Sequence, residues 1–121
     1  MVRDDGQWFQ VAKVSQLPPR ATVRFTAGAV EGHLVRRGDD LMALSAICSH
    51  LPCTLLWQDD NDDFLCPCHG VTFQPSGELK QSRRSYEPLT RLEVKVNGDE
   101  VLVWSIGKDM YSHHAKPFTE T

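Results

Sequence analysis

Hydrophobic positions along the chain fall into short runs broken by turn residues. Trp8 to Val14 alternates imperfectly between apolar and polar, and Leu17-Pro18-Pro19-Arg20 stops it. Val23 and Phe25 begin a second strand. His33-Leu34-Val35 and Leu41-Met42-Ala43-Leu44 flank Arg36-Arg37-Gly38-Asp39-Asp40, which reads as a hairpin loop. The strongest hairpin signal lies near the end. Leu92, Val94 and Val96 alternate with polar residues, Asn97-Gly98 follows, and then Val101 to Trp104. Asn-Gly tolerates the positive φ values of a type I′ turn, whose twist matches that of paired strands. No segment carries a long helical period. The pattern predicts an all-β, antiparallel domain.

Between Leu44 and Arg91 the alternation weakens, and this stretch holds all four cysteines and two of the five histidines. Its acidic tract, Asp59-Asp60-Asn61-Asp62-Asp63, lies between Trp57 and Phe64-Leu65 and reads as a solvated hairpin tip. A calcium loop is the poorer reading, because the ligand order and the glycine of such a loop are missing. The stretch looks like a loop-built site, about residues 45–75, inserted into a β scaffold.

The 121 residues suit one domain, 1–121. A chain this small buries only about two-thirds of its unfolded surface, so a metal cluster or a disulfide adds useful stability. A net charge of −3 gives no electrostatic footprint for nucleic acid. The one basic cluster, Arg83-Arg84, reads as a solvated turn. No apolar run approaches the ~18 residues of a membrane helix. Met1 to Gly6 lacks the apolar core of a secretory signal. The sequence therefore reads as soluble as it stands, either naturally or after loss of an anchor or signal.

Two boxes carry candidate chemistry: Cys48-Ser49-His50-Leu51-Pro52-Cys53 and Cys66-Pro67-Cys68-His69-Gly70. Four ligands can be drawn from them as Cys-x-His, fifteen residues, then Cys-x-x-His. That set suits an iron–sulfur cluster in which each iron needs two protein ligands beside two bridging sulfides. Thiolates suit the ferric iron, and imidazoles suit the iron that becomes ferrous. Replacing two thiolates by neutral histidines removes negative charge and raises the potential to about −150 to +300 mV. The outer nitrogens of His50 and His69 would reach solvent or a partner. A zinc site is the competing reading, but zinc prefers C-x₂₋₄-C pairs and Cys66-Pro67-Cys68 is too tight. Two disulfides without metal would leave both histidines unexplained. His33, His113 and His114 have no partner pattern and read as surface or strand residues.

The two boxes resemble those of the Rieske family, C-x-H-x-x-C and C-x-C-H-G, with Pro67 and Gly70 also as in the family. The resemblance covers about the middle third of the chain. It implies an antiparallel β base domain with an inserted, loop-rich cluster-binding subdomain. It also implies one [2Fe–2S] cluster per chain, held by Cys48, His50, Cys66 and His69. In Rieske proteins of quinol-oxidising complexes the cysteines matching Cys53 and Cys68 form a disulfide, whereas Rieske ferredoxins and dioxygenases generally lack it. A disulfide points to an oxidising compartment. Two positions depart from the family. High-potential members carry Ser and Tyr, which donate hydrogen bonds to cluster sulfur, where this chain has Val71 and Phe73. The family's Gly- and Pro-rich loop after the second box is reduced to Pro75, Gly77 and Pro88.

The resemblance thus implies the soluble domain of an extracytoplasmic Rieske subunit in a bc-type quinol:cytochrome c oxidoreductase. Its partners would be quinol, a cytochrome b-like subunit and a cytochrome c-like acceptor, and it would have no independent active site. His50 or His69 would accept a hydrogen bond from quinol, and Leu51, Pro52 and Pro67 would form an apolar collar. Val71 and Phe73 place the expected potential in the lower or middle part of the Rieske range. The alternative is a cytoplasmic Rieske ferredoxin or a small subunit serving an oxygenase or another oxidoreductase, which the short chain, Val71 and Phe73 favour and Cys53 with Cys68 opposes. A zinc-binding interaction module is a third reading.

Overall fold

The computed structural model describes residues 6–48, 53–68, 70–81 and 87–106. Arg83, Arg84, His113 and His114, named above, lie outside them. The strands are β1 (Gly6–Lys13), β2 (Thr22–Ala27), β3 (Val30–Arg37), β4 (Asp40–Ser45), β5 (Leu56–Gln58), β6 (Asp63–Cys66), β7 (Val71–Phe73), β8 (Leu79–Gln81), β9 (Arg91–Leu92), β10 (Val94–Asn97) and β11 (Glu100–Ile106). One 3₁₀ turn, Val14–Gln16, follows β1. They form three antiparallel sheets, ordered β1-β11-β10, β2-β3-β4-β9 and β5-β6-β7-β8. Among the described residues no helix is long and apolar enough to cross a membrane.

The sheet containing β3 and β4 is the shared wall of two hydrophobic cores. Successive side chains of a strand point to opposite faces, and both faces of β3 are covered. Leu34 and its partner Ala43 pack with Phe25, Ala27, Val101 and Val103. Val35 and Leu44 pack with Leu55, Phe64, Phe73 and the two cysteines Cys48 and Cys66. The first core belongs to the base, and the second fills the lobe that carries the two boxes. Among the described residues that lobe is richer in strand than the loop-built reading implied: a four-stranded sheet, β5 to β8, runs from Leu56 to Gln81.

Three base hairpins use one device. Ala27 pairs Val30, Arg37 pairs Asp40, and Asn97 pairs Glu100, leaving the two-residue turns Gly28-Ala29, Gly38-Asp39 and Gly98-Asp99. The glycines have φ of 62°, 65° and 64°. Positive φ at the first central position alone marks a type II′ turn. The expected type I′ turn over Asn97-Gly98 is therefore displaced by one residue. Asp99 stays in the turn because its carboxylate accepts hydrogen bonds from the Ser15 amide at 2.8 Å and the Ser15 hydroxyl at 2.6 Å. The hydroxyl first, then the amide, hold its pKa below the ordinary carboxylate value.

The hairpin loop expected over 36–40 shrinks to two residues. Arg36 and Arg37 stay in β3 because their guanidinium groups find carbonyl acceptors. Arg36 donates to Val14 O at 3.1 Å and Leu17 O at 2.7 Å, and Arg37 to Ala21 O at 3.2 Å. The imperfect alternation of Trp8 to Val14 has its cause in a bulge, where Gln10 pairs Leu102 but Ala12 pairs Val101.

Candidate metal centre

Both boxes sit at hairpin tips of the same lobe. After β4 the chain forms a short ladder: Ile47 bridges Thr54, the Leu55 amide donates to Ala46 O at 2.8 Å, and the Cys48 amide donates to Cys53 O at 2.8 Å. Cys48 and Cys53 thus close the neck of the first box. The second box is the β6–β7 connection, where Cys66 pairs Val71 and the Gly70 amide donates to Cys66 O at 2.9 Å. Gly70 has φ +70°, and a Cβ there would meet nothing within 4 Å. Its glycine is required by backbone conformation and not by space.

A disulfide joins Cys53 to Cys68, with the Cα atoms 6.5 Å apart, and so ties the two tips together. Cys48 and Cys66 are buried and outside any disulfide. The sulfurs of Cys53, Cys66 and Cys68 lie within 4.8 Å of one another. That trio is not a zinc site, because the two bonded sulfurs have no thiolate to give. The thiols left for metal are those of Cys48 and Cys66, one per tip, both in the box-lobe core. Two thiolates on the buried side, a closed disulfide, and a histidine position in each tip sequence fit the donor set of a Rieske [2Fe–2S] group. His50, Leu51, Pro52 and His69 lie outside the described residues. Pro67 is exposed beside the second thiol. Val71 and Phe73 are buried on the same face of β7, in the core with Cys66, and carry no hydroxyl.

The layer beneath the tips contains residues that sequence reasoning did not single out. Phe64 packs against Trp57 with ring centroids 4.9 Å apart, and against His33 at 4.9 Å. His33 was expected at the surface or in a strand. It lies in β3 but is only 4% exposed. Burial, then the neighbouring Arg24 charge, lower its pKa from 6.5 to about 4, against an opposing hydrogen bond to the Leu55 backbone. His33 thus links the base sheet to the neck of the first box.

The acidic tract divides. Residues 59–62 form the expected tip, whereas Asp63 begins β6 and is 3% exposed. It accepts hydrogen bonds from Gln58 at 2.7 Å and Lys80 at 3.0 Å, which compensates for its burial. Asp62 takes φ +55° and pairs with Arg37 at 2.9 Å. The Arg37 guanidinium also lies 5.6 Å from the Trp57 ring centroid, so it holds the box lobe to the base. Asp63 had one readable sign, its place directly before an apolar strand. The Arg37 tether had none, because its partners are distant in sequence.

Residues 7–91 match the model of the Rieske [2Fe-2S] domain. The iron-sulfur subunit of the cytochrome b6-f complex from Chlorobaculum thiosulfatiphilum is 30% identical over 93 residues, covering 77% of this chain and 51% of that subunit. The chain therefore spans about half the length of this curated relative. A chain in the structure of a hyperthermophilic respiratory complex III superposes with a TM-score of 0.63 at 26% identity, covering 76% of this chain and 72% of that one. The ferredoxin of carbazole 1,9a-dioxygenase from Nocardioides aromaticivorans gives 0.60 at 28% identity, covering 80% and 96%. With its two thiols and its disulfide on paired hairpin tips, the chain belongs to the Rieske [2Fe-2S] domain family.

Proposed function

We propose that residues 1–121 form one Rieske domain that passes electrons within a quinol-oxidising, bc-type complex, on the extracytoplasmic side of its membrane. The observation that carries this reading is the Cys53–Cys68 disulfide across the two tips. Such a bond suits an oxidising compartment, and the related cytochrome b6-f and complex III chains support the same direction. A bound [2Fe–2S] group supplies one-electron chemistry at a potential raised by neutral imidazole ligands. Cys48 and Cys66 would hold that group through their buried thiolates, and His50 and His69 would supply the imidazoles. One of these imidazoles would accept the hydrogen bond and then the proton of a quinol hydroxyl. Leu51, Pro52 and Pro67 would supply an apolar collar there. The partners are a cytochrome b-like subunit, which holds the quinol, and a cytochrome c-like acceptor.

The ferredoxin reading has its own support, since the dioxygenase ferredoxin is matched along 96% of its length. A reconstitution separates the two. Adding the chain to a bc-type complex depleted of its iron–sulfur subunit is expected to restore quinol-dependent cytochrome c reduction. Failure there, together with rapid reduction of the chain by an oxygenase reductase, would replace this reading with the ferredoxin one.

A further inference from the structure

The four cysteines are not two independent pairs. Cys66 lies with its sulfur within 4.8 Å of both disulfide sulfurs, while Cys48 is outside this group. Cys66 is fully buried, Cys53 is half-buried and Cys68 is exposed. A thiol beside a disulfide is the arrangement for thiol–disulfide exchange, and the separation is one that a side-chain rotation covers. Resting on the ligand set proposed above, we infer that Cys53, Cys66 and Cys68 form an exchange centre in which metal loading and disulfide pairing compete for Cys66.

The step balances without an outside oxidant. The Cys66 thiolate attacks the Cys53 sulfur, the Cys53–Cys68 bond breaks, a Cys53–Cys66 bond forms, and the electron pair leaves on the Cys68 sulfur. The Cys66 proton goes to solvent, and the departing Cys68 thiolate takes one up. Burial favours this direction of attack. Expelling Cys68 releases the charge at an exposed position, whereas attack on Cys68 would expel the less exposed Cys53 sulfur. It would also close a ring across Pro67 alone, since only that residue separates Cys66 from Cys68.

The exchanged form has spent one metal-ligating thiol, so it is closed to cluster loading until Cys68 attacks back. A metal-bound Cys66 is removed from the exchange and keeps the Cys53–Cys68 pairing. Cys68 is therefore both half of the native disulfide and the thiol that reopens the site.

The test maps sulfur connectivity in the full chain. Holo protein, and protein stripped of iron by a chelator without denaturant under anaerobic conditions, are alkylated with iodoacetamide and digested without reduction for mass spectrometry. The holo protein is expected to show the Cys53–Cys68 cross-link alone. The stripped protein is expected to add a Cys53–Cys66 cross-link with alkylated Cys68. A stripped protein that keeps only Cys53–Cys68, with Cys48 and Cys66 alkylated, overturns the inference. A second measurement reads the same competition in variants. In reconstitution with iron and sulfide after exposure to oxidised glutathione, Cys68→Ser alone is expected to load less iron than Cys53→Ser/Cys68→Ser. The reason is that the remaining Cys53 captures Cys66 while oxidised glutathione is reduced to two thiols. Equal loading with an alkylated Cys53 also overturns the inference. Absence of iron and acid-labile sulfide from wild-type protein made with ample iron would instead overturn the proposed function, and the sulfur map would still be readable.

Discussion

The base and the box lobe share a wall but are held closed by different means. In the base, long strands pair over many residues: β1 on β11 from Gly6 to Lys13, and β2 on β3 from Thr22 to Ala27. Glycine turns join β2 to β3, β3 to β4 and β10 to β11. In the box lobe β5, β7 and β8 have three residues each, too few to make a stable sheet alone. Their place is taken by cross-links: the disulfide, the buried Asp63 with Lys80 and Gln58, the Arg37–Asp62 tether, and the rings of Phe64, Trp57 and His33. The lobe that carries the two boxes has shorter strands than the base and more side-chain ties.

Damage to the box lobe should release metal before the base unfolds. The largest effect is expected from Phe64→Ala. This ring is fully buried between Trp57 and His33, and emptying such a site costs about 3–5 kcal/mol. Thermal melts should show iron release well below loss of the strand signal in circular dichroism. A single coincident transition would merge the two regions into one cooperative unit.

Next comes the disulfide. Removing it with Cys53→Ser/Cys68→Ser opens a loop of fifteen-residue separation, worth about 3 kcal/mol in the chain-entropy model. Hydrogen exchange should rise in Cys48 to Val71 and stay unchanged in β1 and β11. Equal loss of protection in both would defeat the comparison.

A third test uses acid. The folded pKa of His33 lies below its unfolded value, so protonation favours the unfolded chain. The stability of the neutral form is complete above pH 6.5 and falls as pH drops toward 4. At 1.36 kcal/mol per unit the loss is no more than about 3 kcal/mol. His33→Phe should flatten the pH dependence of unfolding between those values, at the cost of the link to Leu55. An unchanged slope would assign acid sensitivity to other groups.

The smallest effect concerns the potential. Val71 pairs Cys66 and shares its core, so a hydroxyl introduced there would lie in the core that holds the Cys66 sulfur. Val71→Ser, and then Phe73→Tyr, should each raise the potential by a few tens of millivolts, because a donor to sulfur stabilises the added electron. Voltammetry at one pH below the histidine titrations checks this. No upward shift in either variant would mean that burial, and not missing hydroxyls, sets the value.

Much of this was legible in local sequence. The alternation of Leu92, Val94 and Val96 specified strand, because a period of two needs only neighbouring residues to be recognised. The two boxes specified the family, because ligand type and spacing are properties of a short segment. Local pattern misplaced what depends on partners. It read Arg36 and Arg37 as loop, although carbonyls of Val14, Leu17 and Ala21 keep them in β3. It also centred the last turn on Asn97, although Ser15 holds Asp99 in it.

The sequence by itself determined the strand content, the candidate ligands and the resemblance that implied the Cys53–Cys68 pairing. Only the tertiary structure decided that Leu34 and Val35 serve two different cores, that His33 and Asp63 are buried, and that Cys66 lies within reach of both disulfide sulfurs. The reason is physical. Periodicity and ligand chemistry are carried by adjacent residues, whereas burial, ion pairing and sulfur proximity arise where segments distant along the chain meet.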